Sequence, residues 1–254
     1  MRLDQAFAAG YHSNSQIARV LTEAWAESNL YCPRCGGFTI KHFPNNRKVA
    51  DFYCPLCGSE YELKSKQGTI GRKIVDGAYD TFIERITSSN NPDFLILNYS
   101  LTDFSVKNCW VVPKHFFVPA VVEKRRPLPK TARRAGWIGC NILFGEIPVQ
   151  GRICIVKDGV AIAKNTVIAQ MKRASLLHTV NVEARGWLLD ILNCVNQVKN
   201  DSFTLDEMYK NEPMLKLRHP QNNNIRPKIR QQLQVLRDKG FLEFVKPGLY
   251  RKIR

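Results

Sequence analysis

Long apolar runs are missing from this sequence. No stretch approaches the ~18–20 consecutive apolar residues a membrane-spanning helix requires. An apolar leader is missing too, because Met1-Arg2-Leu3-Asp4-Gln5 carries an acid early and no hydrophobic segment follows it. These two absences exclude secretion and membrane insertion and predict a cytoplasmic protein. No internal repeat or low-complexity tract stands out. Acidic residues are scarce, 22 Asp+Glu against 38 Lys+Arg, for a formal charge of +16 at pH 7. Such an excess predicts a polyanionic partner, nucleic acid first.

Hydrophobic residues make up 44% and aromatics 10% of the 254 residues, enough to bury a core and too much for a disordered chain. At ~100–200 residues per domain, the length suggests one large domain or two unequal ones. The positive charge is concentrated. Positions 124–134 hold six basic residues and no acid, and positions 216–254 hold eleven against Asp238 and Glu243 alone.

Eight cysteines fall into two groups. Cys109, Cys140, Cys154 and Cys194 are scattered in apolar or mixed surroundings, as buried thiols in a reducing compartment would be. Cys32, Cys35, Cys54 and Cys57 form Cys-x2-Cys-x18-Cys-x2-Cys, a spacing typical of structural zinc. Each pair presents two thiolates to a tetrahedral ion, and the glycines after Cys35 and Cys57 allow the tight turn. Four thiolates leave no open position, so this zinc is expected to be structural.

Apolar spacing predicts helices over 15–29 and 72–86 and strands over 93–99, 104–112 and 152–156, with irregular chain over 113–128. The last seventy residues read as a separate unit. An amphipathic helix is expected over 186–198, and Thr204-Leu205-Asp206-Glu207 is a capping box with Phe203 and Met208 placed as its staple. A third helix over 225–239 turns Ile225, Ile229, Leu233 and Leu236 inward and Arg226, Lys228, Arg230, Gln231 and Gln234 outward. A hairpin follows across Lys246-Pro247-Gly248. Three helices and a hairpin describe a winged helix-turn-helix, with the division set at 1–182 and 183–254.

Beside the second cysteine pair lies the chemistry. Alternate residues of a strand share a face, so Glu62 and Lys64 point the same way. If Cys54–Cys57 turns a hairpin, Asp51 lies opposite Glu62, gathering two carboxylates and an ammonium. Phosphodiester hydrolysis uses this grouping: carboxylates hold Mg2+, and a lysine orients the attacking water. A half-exposed hairpin with an ordinary polar face is the plainer alternative. An HNH nuclease would need a histidine base, and here only His42 lies between the pairs, near Asn45 and Asn46. That reading is set aside.

Asp51…Glu62-Leu63-Lys64 resembles the PD-(D/E)xK nuclease motif. Together with the cysteine pairs and the winged helix, it resembles the DpnI-like methyl-directed (type IIM) restriction endonucleases, most densely at 13–16, 49–66, 76–79, 131–141 and 229–239. The resemblance implies an α/β (α+β) PD-(D/E)xK core with an embedded four-cysteine zinc site, followed by the winged helix. It also implies Mg2+-dependent cleavage of double-stranded DNA at G-A-T-C carrying N6-methyladenine, by a bacterial, cytoplasmic monomer. Asp51, Glu62 and Lys64 would be catalytic, and Asp51, Glu62 and the Leu63 carbonyl would hold Mg2+.

Trp137, in the basic loop at 131–141, is the candidate to contact the methyl group in the major groove, its alternative being a core tryptophan. Arg133 and Arg134 beside it could equally contact phosphates. A non-catalytic regulator built of a zinc ribbon and a winged helix is the competing class, and it has no use for Asp51, Glu62 and Lys64.

Overall fold

The computed structural model describes residues 1–44, 50–88 and 90–253. Asn45, Asn46 and Val49 of the motif reading, and Arg254 of the basic C-terminal stretch, lie outside the described residues. The first part of the chain runs through helix α1 (Asn14–Asn29), strands β1 (Lys41–His42), β2 (Phe52–Tyr53), β3 (Glu60–Gln67) and β4 (Ile74–Ala78), and helix α2 (Tyr79–Thr87). It continues through β5 (Asp93–Ser100), β6 (Ser105–Val112), β7 (Val122–Lys124), β8 (Gly139–Ile142), β9 (Ile153–Lys157), β10 (Val160–Ala161) and helix α3 (Lys164–Ser175).

Seven of these strands form one sheet in the order β1-β2-β3-β5-β6-β9-β10, while β4-β8-β7 form a smaller one. Only β3 and β5 pair in parallel within the large sheet; its other pairings are antiparallel. At the centre, β5 is buried from Asp93 through Tyr99, which is why Phe94-Leu95-Ile96-Leu97 reads as a continuous apolar run and not as an alternation. Helix α1 lies against β3, α2 against β4 and β8, and α3 against β9. The apolar stripe of α1 buries Leu21, Trp25 and Ala26, and Thr22 Oγ1 meets Ser65 Oγ of β3 at 3.2 Å.

The helix expected over 72–86 is a strand followed by a helix. Ile74 and Ala78 fit helical spacing, but they also fit alternation: Ile74 is 3% exposed and Val75 66%. Pairing of β4 with β8 decides the matter. β8 itself, inside the supposed loop at 131–141, and β7, in the supposedly irregular stretch, are the partners that the sequence reading lacked. Helix α3 was missed as well.

A turn at 176–181 leads into α4 (Val182–Gln197), which starts earlier than expected because Asn181 caps it, its side chain accepting the Ala184 N–H at 2.8 Å. Then come β11 (Ser202–Thr204), α5 (Leu205–Tyr209), α6 (Glu212–Arg218), α7 (Ile225–Asp238), β12 (Leu242–Lys246) and β13 (Leu249–Lys252), the strands ordered β11-β13-β12. The capping box at Thr204 and Glu207 is formed, and Phe203 and Met208 are both buried. The unit has one more helix than expected, α6, whose Pro213 sits in the first turn, where proline is tolerated. Helix α7 buries Ile225, Ile229, Leu233 and Leu236. This is a winged helix-turn-helix.

The two parts meet through polar contacts. Arg218 bridges Glu146 and Asp190, Gln150 and Asn196 exchange side-chain amide hydrogen bonds at 3.0 Å, and Arg173 donates to the Ile253 carbonyl at 2.7 Å. No helix among the described residues is long and apolar enough to cross a membrane.

Candidate active site

The two cysteine turns form one cluster. The four sulfurs of Cys32, Cys35, Cys54 and Cys57 lie within 4.8 Å of one another. Cys32–Cys57 and Cys35–Cys54 are each 3.6 Å apart, close to the ~3.8 Å edge of a tetrahedron with ~2.3 Å zinc–sulfur bonds. Gly36 and Gly58 take positive φ, as the turns require. Hydrogen-bond donors surround the sulfurs: the Gly37 N–H reaches Cys35 at 3.3 Å, the Ser59 hydroxyl lies 3.1 Å from Cys57 and the Tyr61 hydroxyl 3.0 Å from Cys32. Thiolates holding a cation are oriented by such contacts, so the donor set fits zinc. Between the first two cysteines, Arg34 grips the buried Asp93 of β5, with Nη2–Oδ2 at 2.6 Å, and fastens the cluster to the sheet.

That cluster turns the hairpin that carries the carboxylates. Antiparallel pairing sets Phe52 opposite Tyr61, and the Asp51 N–H donates to the Tyr61 carbonyl at 2.9 Å. Asp51 therefore sits across from Glu62, and its Oδ2 accepts the Leu63 N–H at 2.7 Å. Tyr61 points to the sulfurs while Glu62, the next residue, is directed to the other face. Lys64 shares that face, its Nζ 2.6 Å from Glu62 Oε1 and 2.6 Å from Asp76 Oδ1. Arg85 of α2 closes the group, Nη1 standing 2.5 Å from Glu62 Oε2.

The charges are tuned by this packing. Burial works to lower the Lys64 pKa, but Glu62 and Asp76 outweigh it and hold the ammonium above the usual lysine value. Burial pushes the Asp51 carboxyl up, the Leu63 N–H and Lys64 pull it partly back, and Glu23 adds to the rise. Among the described residues no cation is ion-paired to Asp51. Glu23 of α1 is engaged by Arg19 at 2.9 Å and by His42 at 3.4 Å. A desolvated carboxylate with no ion-paired cation among the described residues, beside a second carboxylate and backbone carbonyls, is a hard-oxygen donor set suited to Mg2+.

Asp76 and Arg85 escaped the sequence reading. Nothing in their spacing from Glu62 marks them; they arrive because β4 folds back over β3, held by β8 in a register that sets Asp76 opposite Cys140. The sequence match at 76–79 was the only signal, and it carried no role.

Of the proposed DNA-contacting residues, none belongs to this cluster. Arg133 and Arg134 are exposed in the turn before β8. Trp137 is half-buried and stands apart from the hydrophobic core that takes in Trp25 and Trp187. One side of its ring faces the Gly139 backbone, where a Cβ would come within 2.8 Å of it, and the Arg134 guanidinium lies 4.7 Å from its centre. On α7, Arg226, Arg230, Gln231 and Gln234 are exposed and Lys228 is half-buried. Two of these turn back toward the preceding helices: Arg226 pairs with Glu212 at 2.7 Å, and Arg230 donates to the Tyr209 hydroxyl at 2.7 Å.

Comparison with known families agrees with both halves of the chain. Residues 183–252 match the domain described as the Dam-replacing HTH domain, which accounts for the winged helix and implies DNA binding. Residues 1–180, including the cysteine cluster and the whole carboxylate–lysine group, match the DpnI family, described as the Dam-replacing family. This chain belongs to that family, one of restriction endonucleases bearing a helix-turn-helix domain.

Proposed function

We propose that this protein is a methylation-dependent restriction endonuclease cleaving double-stranded DNA at G-A-T-C sites that contain N6-methyladenine. The observation that carries the reading is Lys64 Nζ seated at 2.6 Å from both Glu62 and Asp76, with Asp51 across the hairpin from Glu62. A regulator gains nothing by burying a lysine between two acids next to a third that, among the described residues, has no ion-paired cation. Asp51, Glu62 and the Leu63 carbonyl would hold Mg2+, which when bound supplies charge to the phosphate and acidifies a water. Lys64, kept protonated by its two carboxylates, would orient the attacking water and stabilise charge developing on the scissile phosphate. The cysteine cluster would hold zinc and contribute folding energy alone. Trp137 would rest its exposed ring surface against the N6-methyl group, with Arg133 and Arg134 nearby for phosphates. The outward face of α7, with Lys228, Gln231 and Gln234, would be a second reader of the same sequence, on a protein acting as a cytoplasmic monomer.

Fully methylated and unmethylated plasmid, each incubated with Mg2+ and wild-type protein or Asp51→Ala, test this on one gel. Fragments from methylated plasmid with wild-type protein alone are expected. Intact plasmid in every lane, with duplex binding retained, would return the protein to the regulator class.

A further inference from the structure

Beside the C-terminal end of α2, one arginine is buried without an acid. Arg185, in the first turn of α4, is 8% exposed, and its Nε is enclosed with no hydrogen-bond partner. Among the described residues no side-chain hydrogen bond or ion pair reaches it. Arg34, Arg85 and Arg218, by contrast, each hold a carboxylate: Asp93, Glu62 and Asp190 respectively. Burial alone, with no acid to oppose it, lowers the Arg185 pKa. A guanidinium taken out of water without a counter-charge destabilises a fold unless an anion joins it.

Arg185 lines a cleft of about 390 Å3 at the meeting of the two domains. Lys114 and His115 enter it from the segment after β6, Thr87 and Ser88 from the end of α2, and His178 from the connecting turn. No Asp or Glu is among the lining residues. His115 contributes no charge: burial pushes it down to about 3, and its Nε2 is 2.8 Å from the Ala174 carbonyl. His178 is lowered first by burial and then by the positive fields of Arg185, Lys114, Lys239 and Arg34. The first turn of α4 also faces the cleft through Val182, adding the positive end of a 16-residue helix. The cleft is thus a preformed positive hollow, with charge supplied from both domains.

We propose that this cleft is a binding site for a phosphate-class oxyanion, held by the guanidinium of Arg185 and the ammonium of Lys114. The anion is either a backbone phosphate of bound DNA or a free phosphate. In both cases it ties the catalytic domain to the winged helix, because its two charged donors come from different domains.

The test uses full-length protein and the variants Arg185→Gln, Arg185→Lys and Lys114→Gln. Melting temperature is measured in sodium phosphate and in sodium chloride of equal ionic strength, and duplex affinity over a range of salt. Millimolar phosphate should raise the wild-type melting temperature above the chloride value. Arg185→Gln should lose that rise while melting higher than wild type in chloride, since its unpaired charge is gone; Lys114→Gln should lose part of it and Arg185→Lys retain part of it. If the anion is a DNA phosphate, Arg185→Gln also flattens the slope of log affinity against log salt by about 1. An unchanged slope with the phosphate response lost identifies a free anion. A wild type indifferent to phosphate, or an Arg185→Gln that keeps the full response, overturns the site. Wild-type duplex affinity, measured in the same series, reports DNA binding independently.

Discussion

Replacing Asp76 with asparagine tests how Lys64 is prepared for its task. The substitution keeps the volume and leaves an amide oxygen to accept from Lys64 and Gly77, but it removes one of the two charges at 2.6 Å from the ammonium. A hydrogen bond to a charged group is worth ~1.5–3 kcal/mol net. If that energy acts in the transition state, single-turnover cleavage falls about 10- to 150-fold. Duplex affinity should hold, because Asp76 is enclosed behind Lys64 and not on the basic surfaces. A second readout separates this role from plain structural support. The Lys64 pKa is held up by Glu62 and Asp76 against burial, so losing Asp76 lets it drop, and the alkaline decline of the cleavage rate must move to lower pH. Wild-type rate with an unmoved alkaline limb would refute the reasoning.

Cys57→Ala should lower the melting temperature and release zinc while leaving the pH profile of any residual cleavage unchanged; soluble, active wild-type protein without zinc by elemental analysis would remove the site. Trp137→Ala should leave the melting temperature nearly unchanged and narrow the methylated-to-unmethylated cleavage ratio by ~1–3 kcal/mol, whereas a core tryptophan would cost ~3–5 kcal/mol of stability. For His115 the native pKa, about 3, lies below the ordinary value of 6.5. The unfolded chain therefore binds the extra proton, and the stability this group provides is complete above about pH 6.5 and is lost as pH falls toward 3. Urea melts of His115→Gln between these limits should show a shallower pH dependence than wild type, and an equal slope would show that burial of His115 is not its source.

What could be read ahead of the structure was whatever depends on local spacing. The Cys-x2-Cys turns, the placement of Asp51 across from Glu62, the strand pair at 93–100 and 105–112, and the buried stripe of α7 follow from periods and turn chemistry within short windows. The gathering of the four cysteines and the winged helix were legible for the same reason. The stretch at 72–86 was not. Its apolar positions satisfy two periodicities at once, and only pairing with a strand some sixty residues further on selects the extended form. Asp76 and Arg85 became invisible with it, since their approach to Glu62 depends on that pairing. The Arg185 cleft was illegible because Arg185 falls just before the helix expected over 186–198, where a basic residue reads as solvated chain, and the residues that line the cleft with it come from the end of α2 and the segment after β6, far away in sequence.

The parallel pairing of β3 with β5 fixes an order of assembly. An antiparallel hairpin such as β2–β3 closes locally, but a parallel pair waits for its crossover, here running through β4 and α2. During synthesis the ribosome releases Asp51, Glu62 and Lys64 early, and they can pair across their hairpin at once. Asp76 takes its place only after β8 has emerged to hold β4, several seconds later at ~5–20 residues per second. Until then the lysine has Glu62 as its only carboxylate partner among the described residues, and α7 does not yet exist. A nascent or truncated chain ending before Gly139–Ile142 thus lacks the strand that holds Asp76 in place, and the full carboxylate–lysine group comes together only once β8 has joined β4.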